Sequence, residues 1–81
     1  MNVRVKLFAV ARQLAGSSEV ELELADGASV ADLRRELTAR YPPLAELAGH
    51  VNFAVDAQYA TDETEIHAGA EIACIPPVSG G

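Results

Sequence analysis

The C-terminal end of the chain holds the residues whose types and spacing best suit chemistry. Its last six residues read Pro76-Pro77-Val78-Ser79-Gly80-Gly81. The two prolines fix their own backbone angle and bar helix or ladder pairing, so the segment is predicted to project from the body in an extended state. The two glycines carry no side chains, so this end of the chain is thin enough to thread a narrow channel in another protein. The group that it would deliver is the carboxylate of Gly81.

A carboxylate at this position needs help from another protein before it can react. It is inert toward nucleophiles until it is activated, for example as an acyl adenylate, so such a tail requires an ATP-using partner. The alternative for a terminal Gly-Gly is a frayed end without a role. We favour the functional interpretation, because the glycines follow a stiff Pro-Pro pair directly after a regular strand pattern.

The remaining reactive side chains form no catalytic constellation in the sequence. His50 and His67 lack neighbours at metal-ligand or triad spacing, so we assign them no role. Cys74 lies among apolar residues of a predicted strand, without the nearby positive charge that a reactive thiol needs. It is interpreted as a small buried side chain, with a reactive thiol as the alternative.

Composition and charge exclude several classes of function. With 81 residues, 49% of them hydrophobic, the chain has the size of one small domain. Its formal charge of -6 repels nucleic acid and anionic lipid, so neither is an expected partner. The N-terminus lacks the apolar core of a signal peptide, and no apolar run approaches the roughly 20 residues of a membrane span. With its single cysteine, the chain is expected to be cytoplasmic.

Hydrophobic periodicity predicts the elements that must position the C-terminal segment. Alternation of apolar and polar residues predicts strands at residues 3–9, 19–24, 51–56 and 71–75, and a brief edge strand at 65–67. Three helical segments are predicted. They are a short turn at 9–15, an amphipathic helix capped by Ser29 and ended by Pro42, and a further turn at 44–49.

This order of elements permits few topologies. A hairpin, a helix that crosses one face and strands that return to the sheet fit an α+β fold of the β-grasp kind. We therefore predict a mixed sheet of four to five strands on one main helix, with residues 1–75 as the body and 76–81 as an extended tail. The other face of the sheet has no cover, so Phe8, on the wetter side of the first strand, is expected to meet a partner.

Taken together, these segments resemble a known family, the small subunits of molybdopterin synthase, which are related to ubiquitin and to the sulfur carriers of thiamine synthesis. The ending Pro-Pro-Val-Ser-Gly-Gly is the most specific part of the likeness. The resemblance covers essentially the whole chain and is carried by residues 5–9, 14–16, 27–30, 53–55 and 69–81.

The resemblance implies a ubiquitin-like fold and a role as a sulfur donor. An adenylating and sulfurating enzyme would use ATP to turn the Gly81 carboxylate into a thiocarboxylate. The loaded tail, residues 76–81, would then enter the active site of the large subunit, which supplies the catalytic side chains and binds a cyclic pyranopterin monophosphate. Two sulfur transfers would build the dithiolene of molybdopterin. No cofactor is expected to be bound by this chain itself.

The resemblance also implies a docking surface at Phe8 and Ile75. The alternatives are a partly shielded surface aromatic for Phe8 and a plain core role for Ile75. Two positions depart from the family pattern. Ala70 stands where an acidic residue is usual, and Asp56 where asparagine is frequent, which leaves the local turn geometry open.

Three other functions remain compatible with the same sequence. The first is sulfur carriage for thiamine or for thiolated tRNA, using the same activated tail. The second is a ubiquitin-like protein modifier that conjugates Gly81 to lysines. The third is a plain interaction module with an inert tail.

Overall fold

The computed structural model describes residues 1–47 and 49–77, which form a mixed five-stranded sheet, two α-helices and a 3-10 helix. The elements follow in the order β1 (Asn2–Leu7), α1 (Ala9–Ala15), β2 (Glu19–Glu23), α2 (Val30–Arg40), the 3-10 helix (Pro42–Glu46), β3 (Asn52–Val55), β4 (Gln58–Ala60) and β5 (Glu71–Ile75).

The strand order across the sheet is β2-β1-β5-β3-β4. The first strand pairs with β2 as an antiparallel hairpin and with β5 in parallel, while β3 pairs antiparallel with both β5 and β4. The last strand therefore lies in the centre of the sheet, held on both edges. This arrangement confirms the predicted β-grasp fold.

The core fills one face of the sheet. Alternate residues of β1 and β2 are buried, as the period of two predicts, and α2 packs its apolar stripe on the same side. Phe53 is fully buried, and the guanidinium carbon of Arg34 lies 5.0 Å from the centre of its ring. The residues of this layer on β1, β2 and α2 are Val3, Val5, Leu7, Val20, Leu22, Val30, Leu33 and Leu37.

The main helix begins where the sequence predicts. Ser29 Oγ accepts a hydrogen bond from the Asp32 amide at 3.3 Å, and Asp32 Oδ2 accepts one from the Ser29 amide at 3.0 Å. This reciprocal capping box satisfies two amides that the first helical turn leaves without partners. The helix ends at Arg40, shortly before Pro42.

Two predicted elements need correction. The edge strand predicted at residues 65–67 is wrong, because Glu65 makes only an isolated bridge with Ser29. The edge strand is β4, which follows a turn with positive φ at Asp56 (52°) and Ala57 (68°). A two-residue hairpin turn of this kind usually contains glycine, as in Asn-Gly or Asp-Gly, so the pair Asp56-Ala57 did not indicate a hairpin in the sequence. The helical turn predicted at 44–49 is a 3-10 helix that begins earlier, at Pro42, since proline suits a first helical position.

Candidate docking face and C-terminal segment

The C-terminal segment follows directly on β5, the central strand of the sheet. Leu7 on β1 is in register with Cys74 on β5, and both side chains are buried in the core. Ile75 ends the strand half-buried, Pro76 is buried and Pro77 is exposed. Within the described residues, the exposed part of the segment thus begins at Pro77. The predicted site residues Val78, Ser79, Gly80 and Gly81 lie outside the described residues, and the assignment of residues 76–81 as an inserting tail stays a prediction.

The face of the sheet opposite the core carries one row of residues that crosses all five strands. Strand register places these side chains in the order Glu19, Lys6, Ala73, Ala54 and Tyr59. The two alanines form a low floor in the middle of the row. They line a shallow depression of about 700 Å³ that Lys6 borders on one side. We call this side of the sheet the open face.

Phe8 and Ile75, the two predicted docking residues, occupy the next position along their strands. Each follows directly on the Leu7–Cys74 pair, so alternation turns both toward the open face. The Phe8 side chain is 48% exposed. Helix α1, which follows Phe8 directly, also has two exposed apolar side chains, Val10 and Leu14, which are 38% and 37% exposed. The register therefore places Phe8 and Ile75 side by side near the point where the chain leaves β5, and their docking role stays a prediction.

Tyr59 is a member of the open face that sequence reasoning missed. At 74% exposure it is the most exposed large hydrophobic side chain among the described residues. It is in register with Ala54, and therefore lies on the same side of the sheet as Ala73. Its strand has only three residues, too few for an alternating pattern to be seen. Three aromatic or aliphatic side chains, Phe8, Ile75 and Tyr59, thus border the alanine floor.

The two departures from the family pattern have local structural roles. Asp56 Oδ1 accepts a hydrogen bond from the Glu71 amide at 3.0 Å, and Asp56 Oδ2 lies 2.5 Å from His67 Nε2. The hydrogen bond from His67 lowers the pKa of Asp56, and the same contact raises the pKa of His67. Ala70 is 4% exposed and joins the core just before β5. Among residues 1–47 and 49–77, no group of three potential ligands is placed to hold a metal ion.

Cys74 is a buried residue of the core, as the sequence predicts. Its side chain is 1% exposed, and this burial raises the pKa of the thiol to about 11, against a smaller opposing effect of Arg34. Since the thiolate is the nucleophilic form, the side chain stays a neutral thiol near pH 7. The structure thus favours the structural interpretation of Cys74 over the reactive one.

No helix in the described part of the chain combines the length and the apolar character needed to cross a membrane.

Comparison with known proteins finds relatives along the whole chain. The ThiS family matches residues 5–81. The molybdopterin synthase sulfur carrier subunit of Chlamydomonas reinhardtii is 37% identical over 83 residues, which cover 100% of both chains. The crystal structure of SAMP1 from Haloferax volcanii superposes with a TM-score of 0.89 at 30% identity, over 100% of both chains. Putative molybdopterin converting factor, subunit 1 from Pyrococcus furiosus has a TM-score of 0.86 at 37% identity, over 96% of this chain and 99% of that one.

Proposed function

This chain belongs to the ThiS family, and on that basis we propose that it is the sulfur carrier subunit of a molybdopterin synthase. The family match and the full-length relatives confirm the resemblance found in the sequence. The observation that carries the proposal is the full-length likeness to a molybdopterin synthase sulfur carrier subunit, which reaches the Gly-Gly ending. The partners that follow are the large subunit of the synthase and an ATP-dependent adenylating and sulfurating enzyme.

The proposed chemistry takes place at the carboxylate of Gly81. The adenylating partner joins one carboxylate oxygen to the α-phosphorus of ATP, with pyrophosphate as the leaving group. A sulfur nucleophile at the oxidation level of hydrosulfide then attacks the acyl carbon, AMP leaves with the former carboxylate oxygen, and loss of the proton on sulfur gives a thiocarboxylate. Its sulfur is a stronger nucleophile than a carboxylate oxygen, so it can attack the cyclic pyranopterin monophosphate bound to the large subunit. ATP is consumed by the partner, and this chain holds no cofactor of its own.

The folded body supports this chemistry by holding the departure point of the tail in a fixed position. Strand β5 is paired on both edges, and Pro76 is buried at its end. The catalytic side chains belong to the large subunit. The complex of the two subunits works in the cytoplasm. Phe8 and Ile75, beside the start of the tail, and Tyr59, at the far side of the open face, contact the large subunit, because apolar side chains there would lose unfavourable contact with water on binding.

Intact mass spectrometry tests the proposal most directly. The chain is incubated with ATP, the adenylating partner and a sulfur source, and fragments are then mapped. We expect one sulfur-for-oxygen exchange confined to Gly81, and none when ATP is omitted. Absence of the exchange, or addition of a sulfur atom to the Cys74 thiol instead, would overturn the proposal.

Modification of other proteins is a second candidate, favoured by the close superposition with SAMP1, a small archaeal modifier protein. In that role the activated Gly81 carboxylate would form an isopeptide bond with a lysine of a target. Lys6 is the only lysine here, so chains built on the protein itself would have one acceptor. Covalent adducts of the chain in cell extract would support this role, whereas a thiocarboxylate alone would exclude it as the main activity.

A further inference from the structure

Lys6 is a cation on the open face that no acidic side chain of the described residues holds. Its neighbour on the same side of β1, Arg4, is engaged by two carboxylates, with Nε 3.6 Å from Glu19 and 3.4 Å from Glu21. Glu19 is the residue in register with Lys6, but its carboxylate is drawn to Arg4 instead. In a chain with a formal charge of -6, this exposed lysine therefore makes no ion pair within the described residues, although it lies beside the apolar side chains of the open face.

The surroundings of Lys6 leave room for a group from outside. On its other side lies Ala73 and, one strand further, Ala54, neither of which can reach the height of a lysine side chain. Tyr59 closes the row three strands away, about 14 Å from Lys6 at about 4.8 Å a strand. A partner segment can therefore descend to the alanine floor between Lys6 and Tyr59.

We propose that Lys6 selects the partner by receiving a carboxylate of an Asp or Glu side chain of the large subunit, placed above Ala73 and Ala54. The inference rests on the docking role assigned to the open face under the proposed function. Phe8 lies two residues further along the chain, just past the end of β1 and about 7 Å away, so an ion pair at Lys6 would form at the border of the apolar contact.

The position of the ion pair determines its effect. A fully exposed pair contributes little, because water and salt screen it. At the edge of a docked apolar cluster, part of that water is removed, so the attraction between the lysine and the carboxylate becomes stronger. A partner with a positive charge at this place would be repelled by Lys6. The apolar residues then supply affinity, and Lys6 supplies discrimination between partners with and without an acid at this place.

Calorimetric titration of the large subunit with four forms of the full chain tests this inference. Lys6→Gln removes the charge, Lys6→Arg keeps it, and Arg40→Gln removes a matched exposed cation from the end of α2, on the side of the core. We expect Lys6→Gln to weaken binding about threefold to tenfold and to reduce its dependence on salt. We expect Lys6→Arg and Arg40→Gln to stay within about twofold of the natural chain.

The outcomes separate this inference from the proposed function. If Lys6→Gln binds as Arg40→Gln does, or if Lys6→Arg is as weak as Lys6→Gln, the ion pair is disproved while the docking role stands. If the natural chain itself fails to bind the large subunit, the proposed function fails.

Discussion

His67 Nε2 lies 2.5 Å from Asp56 Oδ2, while His67 Nδ1 lies 2.9 Å from the carbonyl oxygen of Ala68. Both partners of the ring are acceptors, so the imidazole can satisfy both contacts only when each nitrogen carries a proton. The other oxygen of Asp56 accepts the Glu71 amide. Asp56 thus joins the turn between β3 and β4 to His67 through an ion pair and to the beginning of β5 through a hydrogen bond.

Replacing His67 should change how stability depends on pH. The hydrogen bond to Asp56 raises the pKa of His67 above its ordinary 6.5, so the contribution of His67 is fully present below pH 6.5 and is lost as pH rises through the raised value. The pKa of Asp56 is lowered from 3.8 by the same bond, so its contribution is present above pH 3.8 and is lost as pH falls through the lowered value. The His67→Gln variant should therefore lose most stability near about pH 5 and least near about pH 9.

Urea unfolding of the two proteins at several pH values measures this difference. His50→Gln serves as the control, since His50 is also exposed but makes no ion pair within the described residues. An equal loss for His67→Gln at about pH 5 and about pH 9 would show that the pair is not electrostatic in effect.

The sequence predicted those elements whose local pattern is long enough to be distinctive. The five residues of β2 and the six of β1 alternate without a break, and both strands form. The start of the main helix could be predicted from Ser29, because an N-cap side chain binds a backbone amide only a few residues away in the sequence. Gly16, with φ of 75°, ends α1 for a similarly local reason.

Other features depend on contacts between residues far apart in the chain. Strand β4 has three residues and pairs with β3 only because Asp56 and Ala57 accept positive φ. Asp56 meets His67 across eleven positions of sequence, and the open-face row combines five strands whose order the sequence alone left open. The place of Tyr59 on the open face follows from that order. The acyl chemistry of Gly81 was inferred from residue type and resemblance.

Ala57→Gly should stabilise the fold. Ala57 has φ of 68°, a left-handed conformation that costs a residue with a Cβ roughly 1–2 kcal/mol and costs glycine almost nothing. We expect the free energy of unfolding to rise by about 1 kcal/mol, less the extra entropy of glycine in the unfolded chain. Ala39→Gly, in the last turn of α2, should instead lower it, by less than the roughly 1 kcal/mol of a helix interior. Destabilisation by Ala57→Gly in urea unfolding would contradict the turn geometry.

Phe8→Asp should weaken binding to the large subunit far more than it weakens the fold. The side chain is 48% exposed, so its loss from the free protein should change the free energy of unfolding by only about 0.5–1 kcal/mol. At the centre of an apolar contact, a charge should reduce affinity by at least about tenfold. Calorimetry of the complex and a thermal melt separate the two effects. As a control, Ala39→Asp adds the same charge at an exposed position of α2 and should leave affinity for the large subunit unchanged. Equal affinities of the natural chain and both variants would show that Phe8 lies outside the interface.

Cys74 should be dispensable for carrying sulfur. Its thiol is 1% exposed, and burial raises its pKa to about 11, so alkylation by iodoacetamide near neutral pH should be slow in the native chain and rapid in denaturant. The Cys74→Ala variant should still acquire sulfur at Gly81, although with a less stable fold. Mass spectrometry follows both the alkylation and the loading. Loss of loading in a folded Cys74→Ala protein would indicate that the thiol handles the sulfur.

Deleting Gly81 should abolish sulfur transfer and leave the body folded. The last strand ends at Ile75 and Pro76 is already buried, so no described contact is lost and the free energy of unfolding should stay within about 0.5 kcal/mol. The acyl group, however, is withdrawn by about 3.5 Å, the reach of one residue. Misplacement of a reacting group by about 1 Å can already cost about a hundredfold in rate, so a full residue should leave no measurable transfer.

Two matched variants separate the length of the segment from its thinness. Gly80→Ala keeps the distance to the carboxylate and adds one methyl group, whereas a single glycine appended after Gly81 lengthens the segment by about 3.5 Å without adding a side chain. In an assay of molybdopterin formation with the large subunit, loss in the lengthened chain but not in Gly80→Ala would assign the requirement to distance. Loss of molybdopterin formation in both variants would show that the segment must also be thin, because the methyl group of Gly80→Ala would then prevent its entry into the channel. Unchanged activity of the chain without Gly81 would refute the role of its carboxylate altogether.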